Sequence, residues 1–291
     1  MTDIIIIYGP TAVGKSKVGV EVAKLVNGEV ISSDSMQIYK HLNVGSAKVT
    51  EEEMDGIVHH LINIKEPNED YSVSDFCKDC TNCIKDIISR GKVPVIVGGT
   101  GLYIKSLISG YNFGEIAKNE EFRSSLETLS NENIYAELLK LDGNINVDKF
   151  NRQRLIRAYE RLKYGTGINN KAFDYSYKLF ALCDDRQKIY DRINSRVDQM
   201  VSMGLLDELN YLLSLNLSAD SLCMKAIGYK ELIPFVKGED SLENCLDVLK
   251  QKTRNYAKRQ FTFMNQFDNL IKVNLTTIKD TAKEIYTLWR E

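Results

Sequence analysis

Eight consecutive residues, Gly9-Pro10-Thr11-Ala12-Val13-Gly14-Lys15-Ser16, fit the pattern G-x-x-x-x-G-K-[ST] without a mismatch. Residues of these types at this spacing cradle phosphate. The glycines let backbone N–H groups converge on the oxygens, and the following helix adds the positive end of its dipole. Lys15 can reach the terminal oxygens, and Ser16 can ligate a Mg²⁺ that bridges them. The chain is therefore expected to bind a di- or triphosphate. Two further features belong to the same chemistry. Asp34 ends the run Glu29-Val30-Ile31-Ser32-Ser33, and a carboxylate there can act as a general base or cap a turn with Ser35. Gly98-Gly99-Thr100-Gly101 would let a ligand approach the backbone closely and offers the Thr100 hydroxyl. Lys15, Mg²⁺ and backbone N–H groups can stabilise charge growing on a departing phosphate. That combination serves phosphoryl transfer, and it serves alkyl transfer from a diphosphate ester equally well.

The elements that must position these groups read as an α/β core. Ile4 to Tyr8 is a buried strand, and Lys17 to Val26 has helical spacing through Val18, Val22 and Val26. Strand, glycine turn and helix are the setting the phosphate pattern needs. Glu29 to Asp34 and Lys92 to Gly101 are further strand-to-loop passages, so Asp34 and Thr100 should share one crevice with the phosphate loop. Between the last two strands lies a helix from Val73 or Ser74 to Arg90, capped by Ser72 or Ser74, with Gly91 after its end. From about Tyr111 the pattern changes to charged helices without strands, with Leu126, Leu129, Leu138 and Leu141 as apolar positions. This predicts a helical insertion over 115–175. The core resumes with a strand at Lys178 to Cys183, a long helix broken near Gly204, a loop carrying Lys225, and a helix containing Thr253 to Gln260. A short strand at Ile271 to Leu275 and a terminal helix complete it.

The 291 residues carry a net charge of −2, so no global field draws the chain to a polyanion; local patches would have to do so. One such patch is Lys149 to Lys163, where six of fifteen residues are basic and one is acidic. Arg154, Arg157 and Arg161 share a helical face, opposite Leu155, Ala158 and Leu162. A solvated face and a phosphate-backbone contact both fit this helix. Arg254 and Lys258 form a second cluster. Three of the six cysteines, Cys77, Cys80 and Cys83, are spaced as in part of a metal site, but no fourth ligand follows and one helix spans them, so reduced thiols are expected. Adjacent His59 and His60 point apart in a strand or a helix and make no metal motif. No transmembrane run and no signal-peptide layout is present, so the expected compartment is the cytoplasm. A guanine-reading N-K-x-D motif is missing; Asn170-Lys171 is followed by Phe173 where Asp should stand.

At this point the residues resemble a family. Asp34-Ser-Met-Gln-Ile-Tyr39, Gly45-Ser-Ala-Lys48, His59-His-Leu-Ile62 and Val97-Gly-Gly-Thr-Gly-Leu-Tyr103 follow the phosphate loop in family order. So do Gln153-Arg-Leu-Ile-Arg-Ala158, Arg196-Val-Asp-Gln-Met200, Ile227-Gly-Tyr229 and Thr253-Arg-Asn-Tyr-Ala-Lys-Arg-Gln260. The set is similar to the tRNA dimethylallyltransferases, also called tRNA isopentenyltransferases, of bacterial type. The resemblance implies a P-loop NTPase-like core (1–114 and 176–291) with a parallel sheet flanked by helices, and a small insertion (115–175) that grips the anticodon stem. It implies transfer of a dimethylallyl group from dimethylallyl diphosphate to N6 of the adenosine 3′ of the anticodon. Asp34 would be the base, Thr100 would hydrogen-bond the diphosphate, and Lys15, Ser16 and Mg²⁺ would hold it as it leaves. Lys225 stands where the family usually has Arg, replacing a fork by a point charge. Asp34, Ser35, Met36, Gln37 and Thr100 would meet the flipped base. Arg123, Gln153, Arg154, Leu155, Ile156, Arg157, Arg254 and Lys258 would contact tRNA.

The resemblance has three departures besides Lys225. Phe263 replaces a usual Trp, the insertion is short, and Leu141-Asp142-Gly143-Asn144 replaces an Asp-Pro turn. A monomer without membrane attachment is expected. The alternatives are an adenylate isopentenyltransferase acting on free AMP, a small-molecule kinase, and a non-catalytic RNA-binding protein. Free AMP needs no basic stem-binding helices, a kinase consumes ATP, and a mere binder has no use for Asp34 and Thr100 beside a phosphate loop.

Overall fold

A computed structural model of the chain describes residues 4–110, 119–165, 173–217 and 221–291. Six strands form one sheet in the order β3-β2-β4-β1-β5-β6, and all five neighbouring pairs run parallel. They are β1 (Ile4–Tyr8), β2 (Gly28–Ser32), β3 (His59–His60), β4 (Val93–Gly98), β5 (Tyr177–Cys183) and β6 (Leu270–Asn274). β1 lies between β4 and β5 and is buried along its whole length. Burial on both faces is why it reads as an unbroken apolar run rather than an alternation. Parallel pairing puts the C-terminal ends of β1, β2 and β4 on one edge of the sheet, and these three strands are adjacent. The phosphate loop, Asp34 and Thr100 all follow those ends.

The helices in chain order begin with α1 (Lys15–Leu25), α2 (Glu51–Met54), α3 (Val73–Ser89) and α4 (Gly101–Ile108). The insertion supplies α5 (Glu120–Leu126), α6 (Asn131–Leu141) and α7 (Arg152–Tyr164). The chain continues with α8 (Arg186–Ser202), α9 (Leu205–Ser214), α10 (Ile233–Val236), α11 (Leu242–Met264) and α12 (Ile278–Arg290). α1 buries Val18 and Val22 against the sheet and crosses β4 at Gly19, where a Cβ would come within 2.6 Å of a Val97 methyl. Ser72 and Asp75 cap α3 reciprocally, so its start is encoded locally. Gly204 takes φ 95° between α8 and α9, a left-handed turn that breaks the long helix where the sequence predicts. The short β3 and α2 have too few residues to show a period.

The chain divides into two compact units, one running up to Lys105 and resuming at Asp174–Glu291, the other Ser106–Phe173. The expected start of the insertion at Glu115 lies outside the described residues, as does the Asn170-Lys171 pair. The smaller unit has its own core of Phe122, Leu126, Ile134, Leu138, Leu155 and Ala158. Two of the apolar positions read from the sequence are open: Leu141 is 52% and Leu162 39% exposed. Leu141 is the last residue of α6, and α7 turns Tyr159 and Tyr164, rather than Leu162, onto the Phe122 ring. All six cysteines are free thiols, and burial pushes Cys77 and Cys83 up to about 11.

One buried charge is held by three elements. Glu29 of β2 accepts hydrogen bonds from Arg90, Lys92 (2.7 Å) and the His60 ring (2.7 Å). The Arg90 fork, more than the other two, holds this carboxyl well below the usual carboxylate range, against the opposing effect of burial. Glu29→Gln strips two cations of their counter-charge and should cost about 1–3 kcal/mol, read by urea denaturation at pH 7. A carboxylate with a depressed pKa stabilises the fold above its unfolded value and loses that contribution as pH falls. The gap between parent and variant should therefore narrow below about pH 4.5.

Candidate active site

The phosphate loop opens directly from β1. Ala12 at φ 62° and Gly14 at φ 98° turn the backbone into the left-handed region just before α1 begins at Lys15. Successive N–H groups so turned make an anion-binding concavity at a helix N-terminus. Thr11, Ala12, Gly14, Lys15 and Ser16 line a cavity together with Ser32, Asp34, Gln37, Ser46, Ala47, Glu53, Gly98 and Arg196. Gly9, Pro10 and Val13, also expected at the phosphate, do not line it. Val13 is fully buried in the core, and the Pro10 carbonyl accepts a hydrogen bond from Lys15 Nζ at 2.7 Å. Crowding by protein atoms pushes the Lys15 ammonium down to about 7; Asp34 opposes that shift and Arg196 adds to it.

Asp34 caps its turn and also faces the cavities. Its Oδ1 caps the turn after β2, accepting from Met36 N at 2.9 Å and Gln37 N at 3.4 Å. The residue also lines the phosphate cavity and a second, more apolar one. That second cavity is walled by Ile193, Val197 and Met200 of α8, by Leu249, Thr253 and Tyr256 of α11, and by Ser35, Met36, Leu222, Lys225 and Ile227. Thr11, Asp34, Ser46, Ala47 and Arg196 belong to both. A carboxylate stands where a phosphate cradle meets an apolar chamber.

Two expectations need correction. Gly98 lines the phosphate cavity, but the room that the glycines at 98, 99 and 101 leave is taken up by protein. A Cβ on Gly98 would lie 2.1 Å from the Ser33 carbonyl oxygen, one on Gly99 2.3 Å from Gln260 Nε2, and one on Gly101 2.3 Å from the Phe263 ring. Neither cavity is lined by Thr100, whose Oγ1 accepts from Ser35 N at 3.1 Å and so holds the Asp34 turn. The other correction concerns Leu155, fully buried in the insertion core, where its side chain cannot meet RNA; Ile156 is partly buried against the same core.

Lys225 is exposed and lines the apolar cavity but not the phosphate cavity. Arg123 and Arg157 of the insertion both donate to Glu160, a carboxylate with no exposed surface, at 2.7 to 3.2 Å. Gln153 and Arg154 are exposed on α7. On α11, Arg254 donates to Asn194 at 2.6 Å, and Lys258 is exposed.

Several site residues escape the sequence reading. Gln260 accepts from Thr11 N at 2.8 Å and donates to Gly99 O at 2.8 Å, joining two loops that lie far from it in the chain. Glu208 accepts from the N–H groups of Asn43, Val44 and Gly45 at 2.8 to 2.9 Å and from the Tyr229 hydroxyl at 2.7 Å. It thereby fixes the strap that carries Ser46 and Ala47 into both cavities. Gln260 enters the sequence reading only as the end of a motif, with no sign of this bridge, and Glu208 leaves no local trace. Arg196 does leave one, because it interrupts an apolar helical stripe.

A parallel sheet, a phosphate loop after its central strand and a carboxylate at the mouth of an apolar chamber define an enzyme of the P-loop type that acts on a phosphate ester. The IPP transferase family profile matches residues 37–267, and that of isopentenyl transferase matches 2–66. A tRNA dimethylallyltransferase of Streptococcus uberis is 47% identical over 269 residues, 91% of this chain and 88% of its own. The crystal structure of the tRNA isopentenylpyrophosphate transferase of Bacillus halodurans superposes with a TM-score of 0.76 at 39% identity, covering 99% and 96% of the two chains. A eukaryotic dimethylallyltransferase acting on tRNA superposes at 0.81 with 27% identity, covering 99% of this chain and 78% of its own. The chain belongs to the tRNA dimethylallyltransferase family.

The state of Lys15 has a measurable consequence. A bound anion raises a lysine's pKa, so diphosphate binding near pH 8 should take up a proton. Affinity should fall as pH rises above about 7, by up to tenfold per unit, until the complex itself deprotonates. Calorimetry in two buffers of different ionisation enthalpy reads the uptake. Lys15→Gln should abolish it, leaving only the ligand's own ionisation.

Proposed function

We propose that this protein transfers the dimethylallyl group of dimethylallyl diphosphate to N6 of the adenosine 3′ of the anticodon in tRNA. The observation that carries the reading is the sharing of Asp34 by the two cavities. The diphosphate would lie against the N–H groups of the phosphate loop and Lys15, with its C1–O bond directed toward Asp34. N6 attacks C1, the C1–O electron pair leaves with the diphosphate, and the N6 proton passes to Asp34. Lys15 and the loop N–H groups oppose the charge that grows on the leaving oxygen. Ile193, Val197 and Met200 keep the reacting carbon away from water, which would otherwise take the alkyl group.

Mg²⁺ fits the donors present. The exposed Ser16 hydroxyl and the carboxylates of Asp34 and Glu53 line one phosphate cavity, and hard oxygen donors suit this ion. Ser16 would hold it, and bound there it would neutralise diphosphate charge. Arg154 and Gln153 on the exposed side of α7, and Lys258 on α11, would meet the tRNA backbone. The protein would act in the cytoplasm as a monomer.

The test supplies dimethylallyl diphosphate labelled in the alkyl group, with Mg²⁺, to an unmodified anticodon stem-loop and, in parallel, to AMP. Label is expected in the stem-loop. Label in AMP alone would overturn the reading, and ATP consumption without alkyl transfer would assign a kinase.

Asp34→Asn separates chemistry from structure, because an asparagine Oδ1 can still cap the turn. Its single-turnover rate should fall by about 10²–10⁴ with stem-loop affinity and melting temperature nearly unchanged. An unchanged rate would remove Asp34 from the role of base.

A further inference from the structure

Phe150 is 79% exposed, more than any other large apolar side chain among the described residues. It stands just before the Asn151 cap of α7, the position from which an apolar residue ordinarily packs onto the fourth residue of the helix. That fourth residue is Leu155, whose side chain is occupied in the core of the insertion unit, and Phe150 does not join that core. Local helix chemistry therefore leaves the ring without a partner of its own kind. The backbone that carries it is tied on both sides. Asp148 Oδ1 accepts from Phe150 N at 3.0 Å, and Asp148 O accepts from Asn151 N at 3.1 Å. Asn151 Oδ1 then caps α7 at Arg154 N, and Arg152 is held by the carbonyls of Leu126 and Leu129. The ring is presented outward from a fixed turn.

Its surroundings say what would cover it. The Lys149 ammonium lies 5.2 Å from the ring centroid, and Gln153 and Arg154 are exposed on the first turn of α7. Of the carboxylates close by, Asp148 is engaged in the turn and Glu132 feels the charge of Lys149. A flat apolar face beside cations and an amide suits a nucleobase, which stacks on the ring while its phosphate meets the charges. Bases inside a duplex already stack on one another, so the base that fits is an unpaired one. A protein partner would ask for a contiguous apolar patch, whereas this ring is flanked by Lys149, Asn151 and Arg152.

We propose that Phe150 is a stacking platform for an unpaired base in the anticodon arm of the tRNA. With Gln153 and Arg154 on the next turn, base and backbone contacts are made by one short stretch of chain. The assignment rests on the tRNA reading for the identity of the partner.

The probe is an unmodified anticodon stem-loop, bound to the full chain without prenyl donor. Phe150→Ala should weaken binding roughly 5- to 100-fold, the range for losing one base–aromatic stack, with the melting temperature unchanged because the ring is exposed. The salt dependence should stay parallel to that of the parent, since a ring releases no counterion, whereas Arg154→Ala should flatten it. Phe150→Leu, apolar but without a flat face, should fall with the alanine variant. Phe150→Trp should bind as tightly as the parent, and its added emission should be quenched by the stem-loop; Trp289, the parent's single tryptophan, gives the baseline. Abasic substitutions at each loop position in turn locate the base. At one position the parent should drop to the affinity of the alanine variant, and the alanine variant should lose nothing more. Parent-like affinity in Phe150→Ala, which a protein partner at this ring would also produce, or full affinity in Phe150→Leu, would overturn the assignment. A parent that binds and prenylates the stem-loop while Phe150→Ala binds it as tightly removes this assignment alone. A parent that binds no stem-loop removes the functional reading with it.

Discussion

Gln260 is almost fully buried and bonds in three directions at once. Its side chain accepts from Thr11 N and donates to Gly99 O, while its own carbonyl accepts from the Tyr8 hydroxyl at 3.0 Å. The loops after β1 and β4 are thus tied to one residue of α11. An amide is suited to this because it offers a donor and an acceptor a fixed distance apart. Fixing Gln260 fixes the register of α11, and α11 carries Leu249, Thr253 and Tyr256 into the apolar chamber. The phosphate loop and the chamber wall are therefore set by the same pair of hydrogen bonds. Gly99 is obligatory for that contact, since a side chain there would displace the amide.

The opposite wall is held electrostatically. Glu208 gathers three backbone N–H groups and one hydroxyl onto the strap at 43–45. Lys48 at its far end donates to Tyr39 O, Asn43 Oδ1 and Asn63 Oδ1. Burial pulls Lys48 down to about 8, the penalty of fixing an ammonium away from water. The strap packs so closely on the next segment that a Cβ on Gly45 would meet the Tyr229 ring at 2.5 Å. A site that handles a multiply charged leaving group gains from such rigidity, because groups already in place need not reorganise as charge develops.

What the sequence made legible follows from the range of the interactions. The phosphate loop, the buried first strand, the Asp34 turn and the helix break at Gly204 are set within a few residues, and they read correctly. The glycines at 98, 99 and 101 were legible as places without side chains. Whether a ligand or a protein atom fills the space depends on Ser33, Gln260 and Phe263, two of which come from a helix some 160 residues away. Thr100 was read toward the ligand; that its oxygen also accepts from Ser35 N, and so supports the turn that presents Asp34, is a contact the sequence does not show. Gln260 closes the Thr253 to Gln260 motif, yet nothing there says that it joins two loops, and Glu208 could be a surface residue of an ordinary helix. Arg196 was readable in principle, because a charge at an apolar period is a local anomaly.

The insertion unit shows the same economy in its charges. α7 reads as a uniformly basic face, but its arginines divide by their partners. Arg152 donates to the carbonyls of Leu126 and Leu129 at 2.6 and 2.8 Å, closing the end of α5. Arg123 and Arg157 converge on buried Glu160, and Arg123 outweighs Arg157 in holding that carboxyl low against its own burial. A buried carboxylate beneath two guanidiniums fixes side chains that would otherwise lose rotamer freedom on meeting RNA. It also lowers their net field, so the outward charge of this unit rests more on exposed Arg154, Arg161 and Lys163 than the count of basic residues implies. For a chain of net charge −2, that division would give the proposed tRNA contact orientation from the paired arginines and salt-sensitive attraction from the exposed ones.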